Sequence, residues 1–279
     1  MPIHDQGYRR YTGRRRPPGR GWRVIARSGI RAMLGRRAFV GLLIVAWLPF
    51  LVRAVQIYAA TNLPQASFLA PSAETFRQFL GQQEVFLFFV AVYAGAGLIA
   101  NDRRAHALQI YLSKPLTRAE YVIGKLGVLF SFLLAVSWLP AVLLLVVEVL
   151  FTGSFDFARE HLFLLPAITF FSWLEALVLS LAMLALSSLS RSSRYVAMLY
   201  AGVLFFSQAL AVVLRTATGG SGLAWLSLSN SLEQIGNAVF GLRPAYDSPL
   251  AACLAAVLAV MTLSIAVLER RVRAVDVVA

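Results

Sequence analysis

The sequence is poor in the side chains that carry out chemistry. It has one cysteine and three histidines in 279 residues, and 13 acidic residues against 26 Lys and Arg. The lone Cys253 excludes a disulfide framework or a Cys-based metal cluster within one copy, and its place in the last apolar run reads as a small apolar filler. His4, His106 and His161 fall on an N-terminal tail, a connecting segment and a helix end. No two share a helical ligand spacing, so no metal site is expected. A phosphate-cradling loop needs glycines ahead of Gly-Lys-Ser/Thr. The one Gly-Lys here, Gly124-Lys125, is followed by Leu126 and opens an apolar run, so the chain is not expected to bind ATP by a Walker motif. No internal repeat is evident, which argues against a transporter built from duplicated halves.

Charge is also scarce. Only 14% of residues are charged and 59% are hydrophobic, with a mean hydropathy of +0.71. That balance excludes a soluble domain and makes lipid the main solvent. A hydrocarbon core about 30 Å thick needs about 20 apolar residues per helix. Runs near 38 to 60, 126 to 151, 162 to 190, 195 to 214 and 249 to 268 meet that length, and a shorter one, 85 to 100, makes six.

Basic residues sort these runs by side. With the N-terminus inside, segments 1–37, 102–125, 191–194 and 269–279 hold eleven, five, two and three Lys or Arg, 21 of the 26. The opposite loops hold Arg77, Arg159, Arg215 and Arg243, and Arg53 falls inside the first span. The positive-inside rule then places both termini in the cytoplasm of a multi-pass plasma-membrane protein, a bacterial inner membrane being the natural setting. The formal charge of +13 would suggest nucleic acid in a soluble protein. Its concentration just ahead of the first span favours anionic membrane lipid instead, with no nucleic acid.

A cleaved signal peptide is disfavoured, because both the basic region and the apolar run are too long. Residues 1–21, rich in Arg, Gly and Pro, read as a disordered cytoplasmic tail. Over 22–36, Trp22, Ile25, Ala26, Gly29, Ile30 and Met33 share one helical arc, and Arg23, Arg27 and Arg31 form a ridge beside it. This predicts an amphipathic helix in the inner interface, the alternative being a plain extension of the first span. The membrane domain then covers 37–268, with a cytoplasmic end at 269–279. Within the external segment 215–248, Asn230 and Glu233 have N-cap and N3 spacing, and Leu232, Ile235 and Val239 follow at helical spacing. A short interfacial or re-entrant helix and an ordinary loop helix both fit.

Three charges lie inside spans, where uncompensated charge costs about 2.5 to 3.5 kcal/mol on insertion scales. Glu148 is close enough to the outer end of its helix to reach the interface. Arg53 lies deeper, roughly 10 Å down at 1.5 Å per residue, and is a candidate partner for Glu148. Glu175 falls near the midplane with no obvious cation at its depth; it either sits neutral in a packed interface or faces a polar cavity. Small residues Ala91, Gly95 and Gly97 in the second span would permit close helix contact.

The most informative stretch is 101–126, NDRRAHALQIYLSKPLTRAEYVIGKL. It predicts a helix over Asp102 to Leu112, a break at Pro115, and a second helix with Thr117 as N-cap and Glu120 at N3. Such a capped elbow joining two spans is a natural lever for a soluble partner. Within it, Pro115 to Lys125, P-L-T-R-A-E-Y-V-I-G-K, resembles the Pro-x-Ser/Thr-Arg-x-x-Tyr/Phe-x-x-Gly-Lys signature of ABC-2 type ABC transporter permeases. The basic helix before the first span, the six spans and the external amphipathic segment agree with that family's architecture. The stretch Asp102-Arg103-Arg104-Ala105-His106-Ala107-Leu108-Gln109 departs from it, since family members commonly carry Glu-x-x-x-Gly-Thr-Leu-Glu and here the acidic residues are reduced to Asp102.

The resemblance implies an all-α integral membrane fold of six transmembrane helices, with an N-terminal interfacial helix, a cytoplasmic coupling elbow and a short external helix before the last span. It implies a permease, an exporter by family association, paired with a second copy of itself or a homologous permease. A separate cytoplasmic ATP-binding cassette ATPase dimer would bind ATP and Mg and drive it. Residues 102–118 would dock on that ATPase, through Asp102, Arg103, Arg104, His106, Lys114, Pro115 and Arg118. A force-transmitting or anchoring subunit with no substrate path, an ion-coupled transporter leaning on Glu175 and Arg53, and a lipid-modifying membrane enzyme are the competing classes.

Overall fold

The computed structural model describes residues 21–62, 71–107, 116–152 and 163–272, and all regular structure among them is helical. Among the described residues six helical stretches are long and apolar enough to cross a membrane: Arg37–Asn62, Ala73–Arg104, Arg118–Phe151, Leu164–Leu189, Ser193–Thr218 and Leu250–Arg271. Ahead of them lies α1 (Gly21–Leu34).

Two spans are broken where the sequence removes a backbone donor. The first is divided into α2 (Arg37–Ala46) and α3 (Leu48–Asn62) at Trp47, two residues before Pro49. The third is divided into α6 (Arg118–Val136) and α7 (Trp138–Thr152) at Ser137, three before Pro140. A proline ring cannot donate to the carbonyl four residues back and crowds it, so a kink at the preceding turn is the expected relief. Trp47 makes use of its bend, its indole Nε1 donating to the Ala135 carbonyl of α6 at 3.2 Å.

The second span is much longer than the apolar run at 85–100. It begins with α4 (Ala73–Val90), passes through one π-helical turn (Ala91–Gly95), and ends with α5 (Gly97–Arg104). A reciprocal Ser72 and Thr75 capping box starts it. Its polar first half was hidden from a hydropathy reading because it faces protein: Gln83 is fully buried and Arg77 is 5% exposed. Arg77, expected in an external loop, is therefore an internal helix residue.

The hub is α8 (Leu164–Leu189), with 67% of its apolar window buried, against 11% for Arg37–Asn62 and 17% for both Ser193–Thr218 and Leu250–Arg271. It contacts α4 through α7 as well as α9 (Ser193–Thr218), α10 (Leu228–Val239) and α11 (Leu250–Arg271). Small residues allow this approach. A Cβ on Gly95 would lie 2.5 Å from Met183 and 2.8 Å from Leu129, so Gly95 closes the packing of the second span on α8 and α6, while Gly97 is crowded only by Asn101 of its own helix.

Helix α10 starts at Ser227, whose hydroxyl accepts from Asn230 N, so the cap lies three residues before the expected Asn230. The backbone there turns through a 3-10 segment, Ala224–Leu226, and reaches its first helical residue at Leu228. The α10 face carrying Leu232 and Ile235 packs with Val178, Cys253 and Val257, so this helix is built into the bundle.

Candidate functional site

The described ends of the elbow converge on one carboxylate. Asp102, near the end of α5, accepts a hydrogen bond from Tyr121 Oη at 2.7 Å and pairs with Lys125 Nζ at 2.7 Å, both through Oδ2. The Lys125 ammonium also lies 5.5 Å from the Tyr121 ring centroid. The Lys125 and Asp102 side chains are only 12% and 18% exposed, so this pair is shielded more than a surface bridge, and geometry of this kind fixes one helix end on another.

The start of α6 is pinned as the sequence predicts. Thr117 Oγ1 accepts from Glu120 N at 3.1 Å, and Glu120 Oε2 accepts from Thr117 N at 2.9 Å. Glu120 then does a second job, its Oε1 accepting from Gly21 N, the first amide of α1, at 3.2 Å. One turn on, Gly124 leaves room for α1 itself. A Cβ there would lie 2.8 Å from Ile25 Cβ and 3.0 Å from the Trp22 carbonyl. The apolar arc of α1 is thus partly occupied by α6, while Arg23, Arg27 and Arg31 stay exposed.

Thr117, Tyr121, Gly124 and Lys125 of the signature therefore clamp α5, α6 and α1 together. Gly124 and Lys125 lie within a helix, committed to α1 and to Asp102, and form no phosphate cradle. Among the residues expected to face a partner, Asp102 is turned inward, and the Arg103 guanidinium donates to the Ser188 carbonyl at the end of α8. Arg104, His106 and Arg118 are exposed. Of the helix expected from Asp102 to Leu112, Asp102 to Arg104 end α5, Ala105 caps it, His106 turns the chain with a φ of 54°, Ala107 is helical again, and 108–112 lie outside the described residues. Lys114 and Pro115 lie outside the described residues, as do His4 and His161.

A second link fastens the α5 end of span two. Ser187 Oγ accepts from Ile99 N and Ala100 N, both at 3.1 Å, and donates to the Ala96 carbonyl at 2.8 Å. The π turn just before shifts the helical register, and this buried hydroxyl satisfies the amides at the restart. Nothing in the sequence pattern singles out Ser187.

The charges within spans are placed differently from expectation. Arg53 donates to Gln56 at 3.2 Å and Gln78 at 3.4 Å rather than pairing with Glu148, because Gln78 comes up on the long second span, which the apolar run does not show. Glu148 is 2% exposed. Glu175 is 1% exposed and lines a cavity that also contains Glu84. A cation does lie near its level: Arg77 stacks on Phe171, one turn before Glu175, with its guanidinium carbon 4.9 Å from the ring centroid. Glu84 and Arg77 were missed for the same reason, the polar character of α4.

The segment before the last span is held by side-chain amides and hydroxyls. Gln234 donates to the carbonyls of Tyr246 and Ser248 and accepts from the amides of Ala245 and Tyr246. Tyr246 donates to Glu233 at 2.6 Å, and burial next to that carboxylate raises the phenol above its ordinary range, so it stays a donor at neutral pH. Asp247 accepts from the Ser221 hydroxyl at 2.5 Å and amide at 3.3 Å, and these bonds hold its carboxyl below the usual range.

Six apolar spans, one of them the buried hub on which the others pack, with a clamped elbow between the second and third, define a multi-pass membrane protein. The family described as ABC-2 family transporter protein matches residues 24–270. The chain belongs to that family and is an ABC transporter permease, a membrane transport subunit distinct from the ATPase, and membership implies association with an ABC ATPase subunit. No curated protein matches the chain significantly.

Proposed function

We propose that the chain is the substrate-translocating half of an exporter, driven by a separate cytoplasmic ATPase dimer that binds ATP and Mg, and that it works as a pair with a second copy or a homologous permease. Both termini and the elbow lie in the cytoplasm of a plasma membrane, and α1 rests in the inner interface with Arg23, Arg27 and Arg31 among lipid phosphates. The observation that carries the reading is the Asp102, Tyr121 and Lys125 clamp. It joins the second span to the third, and Glu120 and Gly124 seat α1 on the same helix, so a push on the elbow moves three helices as one body rather than bending a loop. The exposed Arg104, His106 and Arg118 receive the push, while Asp102 and Arg103 position them from inside; Lys114 and Pro115, close in sequence to Arg118, carry the same role by the family resemblance.

The test is a photo-crosslinking amino acid placed singly at Arg104, His106 and Arg118 in cells that express the whole transporter. Adducts with a Walker-motif ATPase are expected from at least two positions. Adducts confined to lipid or to the chain itself, in a complex that hydrolyses ATP, would overturn the docking assignment.

A further inference from the structure

Two cavities meet at Glu84. The outer one, about 810 Å³, is lined by polar side chains that include Glu74, Arg77, Gln78, Glu233 and Arg243. The inner one, about 290 Å³, has Phe88, Phe89, Leu179, Leu204 and Phe205 in its wall. Glu84 lines both, and Glu175 and Tyr200 line the inner chamber. Its volume is at the small end of the roughly 300–1,000 Å³ typical of small-molecule sites.

The inner chamber holds polar groups without partners. Glu175 is 1% exposed and its Oε2 makes no hydrogen bond; Tyr200 is 2% exposed and its Oη makes none. Among the described residues no Lys or Arg nitrogen comes within ion-pairing distance of Glu84 or Glu175. Arg77 is close enough for both carboxylates to sense its charge, yet it makes no ion pair with either, and its Nε has no hydrogen-bond partner. It stacks on Phe171 and donates to the Glu233 carbonyl at 3.5 Å. The absence of a side chain at Gly236 makes room for it, since a Cβ there would fall 2.5 Å from Arg77 Nε. The bundle has therefore buried Glu175 in the inner chamber and set Glu84, half-buried, where the two cavities meet, with no described cation paired to either.

We propose that this chamber is the binding site for an amphipathic organic cation, an aromatic or aliphatic body bearing one ammonium or amidinium-like group, with the outer polar cavity as its route to or from the external face. The positive group lies between Glu84 and Glu175 and supplies the ion pair that the protein itself withholds. Removing a carboxylate from water is costly unless a cation accompanies it, which makes the site selective for charge. The apolar body fills the space against Phe88, whose ring stacks with Tyr200 at 5.8 Å and adjoins Phe205 at 5.6 Å. Such rings also attract cations through their faces. The assignment rests on the chain being a transport subunit and names the class of its cargo.

The test is equilibrium binding of dimethylaminostyryl-methylpyridinium, a fluorescent aromatic monocation, to the full chain in lipid nanodiscs, with empty nanodiscs as blank. Saturable binding is expected, with no competition from the uncharged stilbene analogue. Glu84→Gln and Glu175→Gln should each weaken it at least tenfold. Glu74→Gln, which touches only the outer cavity, should leave it within twofold. Leu204→Trp, which fills the chamber and leaves both carboxylates in place, should abolish it. No saturable binding, equal competition by the uncharged analogue, or wild-type affinity in both Gln variants would overturn the proposal. If a Gln variant fails to assemble, the cation-against-neutral comparison on the wild-type chain still decides. The assay contains neither nucleotide nor ATPase, so a chain that binds the dye but recruits no ATPase would sink the coupling reading alone.

Discussion

At Gly124 and Gly127 the same substitution should have opposite signs. A methyl at Gly124 meets Ile25 and the backbone of Trp22, and a main-chain oxygen cannot swing aside, so Gly124→Ala must push α1 off α6. We expect a loss of about 1–3 kcal/mol, the range for overpacking. At Gly127 the added Cβ would be 3.5 Å from Ala26, an ordinary contact, and Gly127→Ala should be neutral or stabilising by up to about 1 kcal/mol through helix propensity. Thermal unfolding of the detergent-solubilised variants reads both, and Gly124→Ala melting at or above wild type would discredit the seat. Tyr121→Phe and Lys125→Met remove two partners of the same Asp102 oxygen. Each should destabilise by roughly 1–3 kcal/mol, and the double variant should fall short of the sum, because the two share a partner. At this scale the Thr117 and Glu120 cap was legible, since capping is a four-residue rule. The use of Asp102 was not: its partners come from a helix beyond a long connection, and nothing local separates an acid that docks a partner from one that holds the protein together.

Ser187 tests whether the end of the second span is a fastened element. Its hydroxyl serves two amides and one carbonyl at the restart after the π turn, and Ser187→Ala would leave buried donors unsatisfied at about 1–3 kcal/mol. Faster hydrogen exchange at Ile99 and Ala100 of α5, with α8 unchanged, is the expected signature; unaltered protection there would refute the link. The 221–247 tie is the other element with a definite sensitivity. Asp247 is held below its ordinary range by Ser221, so the native state prefers the carboxylate, and its contribution is complete above the unfolded value, about 3.9. It is lost as pH falls below that value toward the native one. Acidification below about pH 4 should thus loosen the loop ahead of α11 in the wild type, read by proteolysis, and Asp247→Asn should lose that response. A variant that still loosens over the same interval would assign it to another group. Element existence was legible for every long apolar run, and the breaks at Pro49 and Pro140 follow from proline. The polar half of α4 was not, because Gln83 and Arg77 read as loop until the helices that bury them are known.

The whole molecule carries an orientation that its parts do not. Three spans separate the elbow from the 219–249 segment, so the two must lie on opposite faces whichever way the chain inserts. We expect the insertion with the elbow in the cytoplasm, because translocating basic segments is disfavoured and 21 of the 26 Lys and Arg fall in the segments on that side. The inward packing of Arg77 sharpens this split, since it removes one of the few basic residues assigned to the external loops. The single native cysteine, Cys253, is fully buried, which makes labelling of introduced cysteines interpretable against a quiet background. Arg104→Cys and Arg118→Cys should react with a membrane-impermeant maleimide only after the membrane is opened, whereas Leu226→Cys and Arg243→Cys should react in intact cells. Reaction of all four from one side would break the six-span count. A clean reversal would keep the count and turn the molecule over, placing the acidic cavities on the cytoplasmic face and the clamp out of an ATPase's reach.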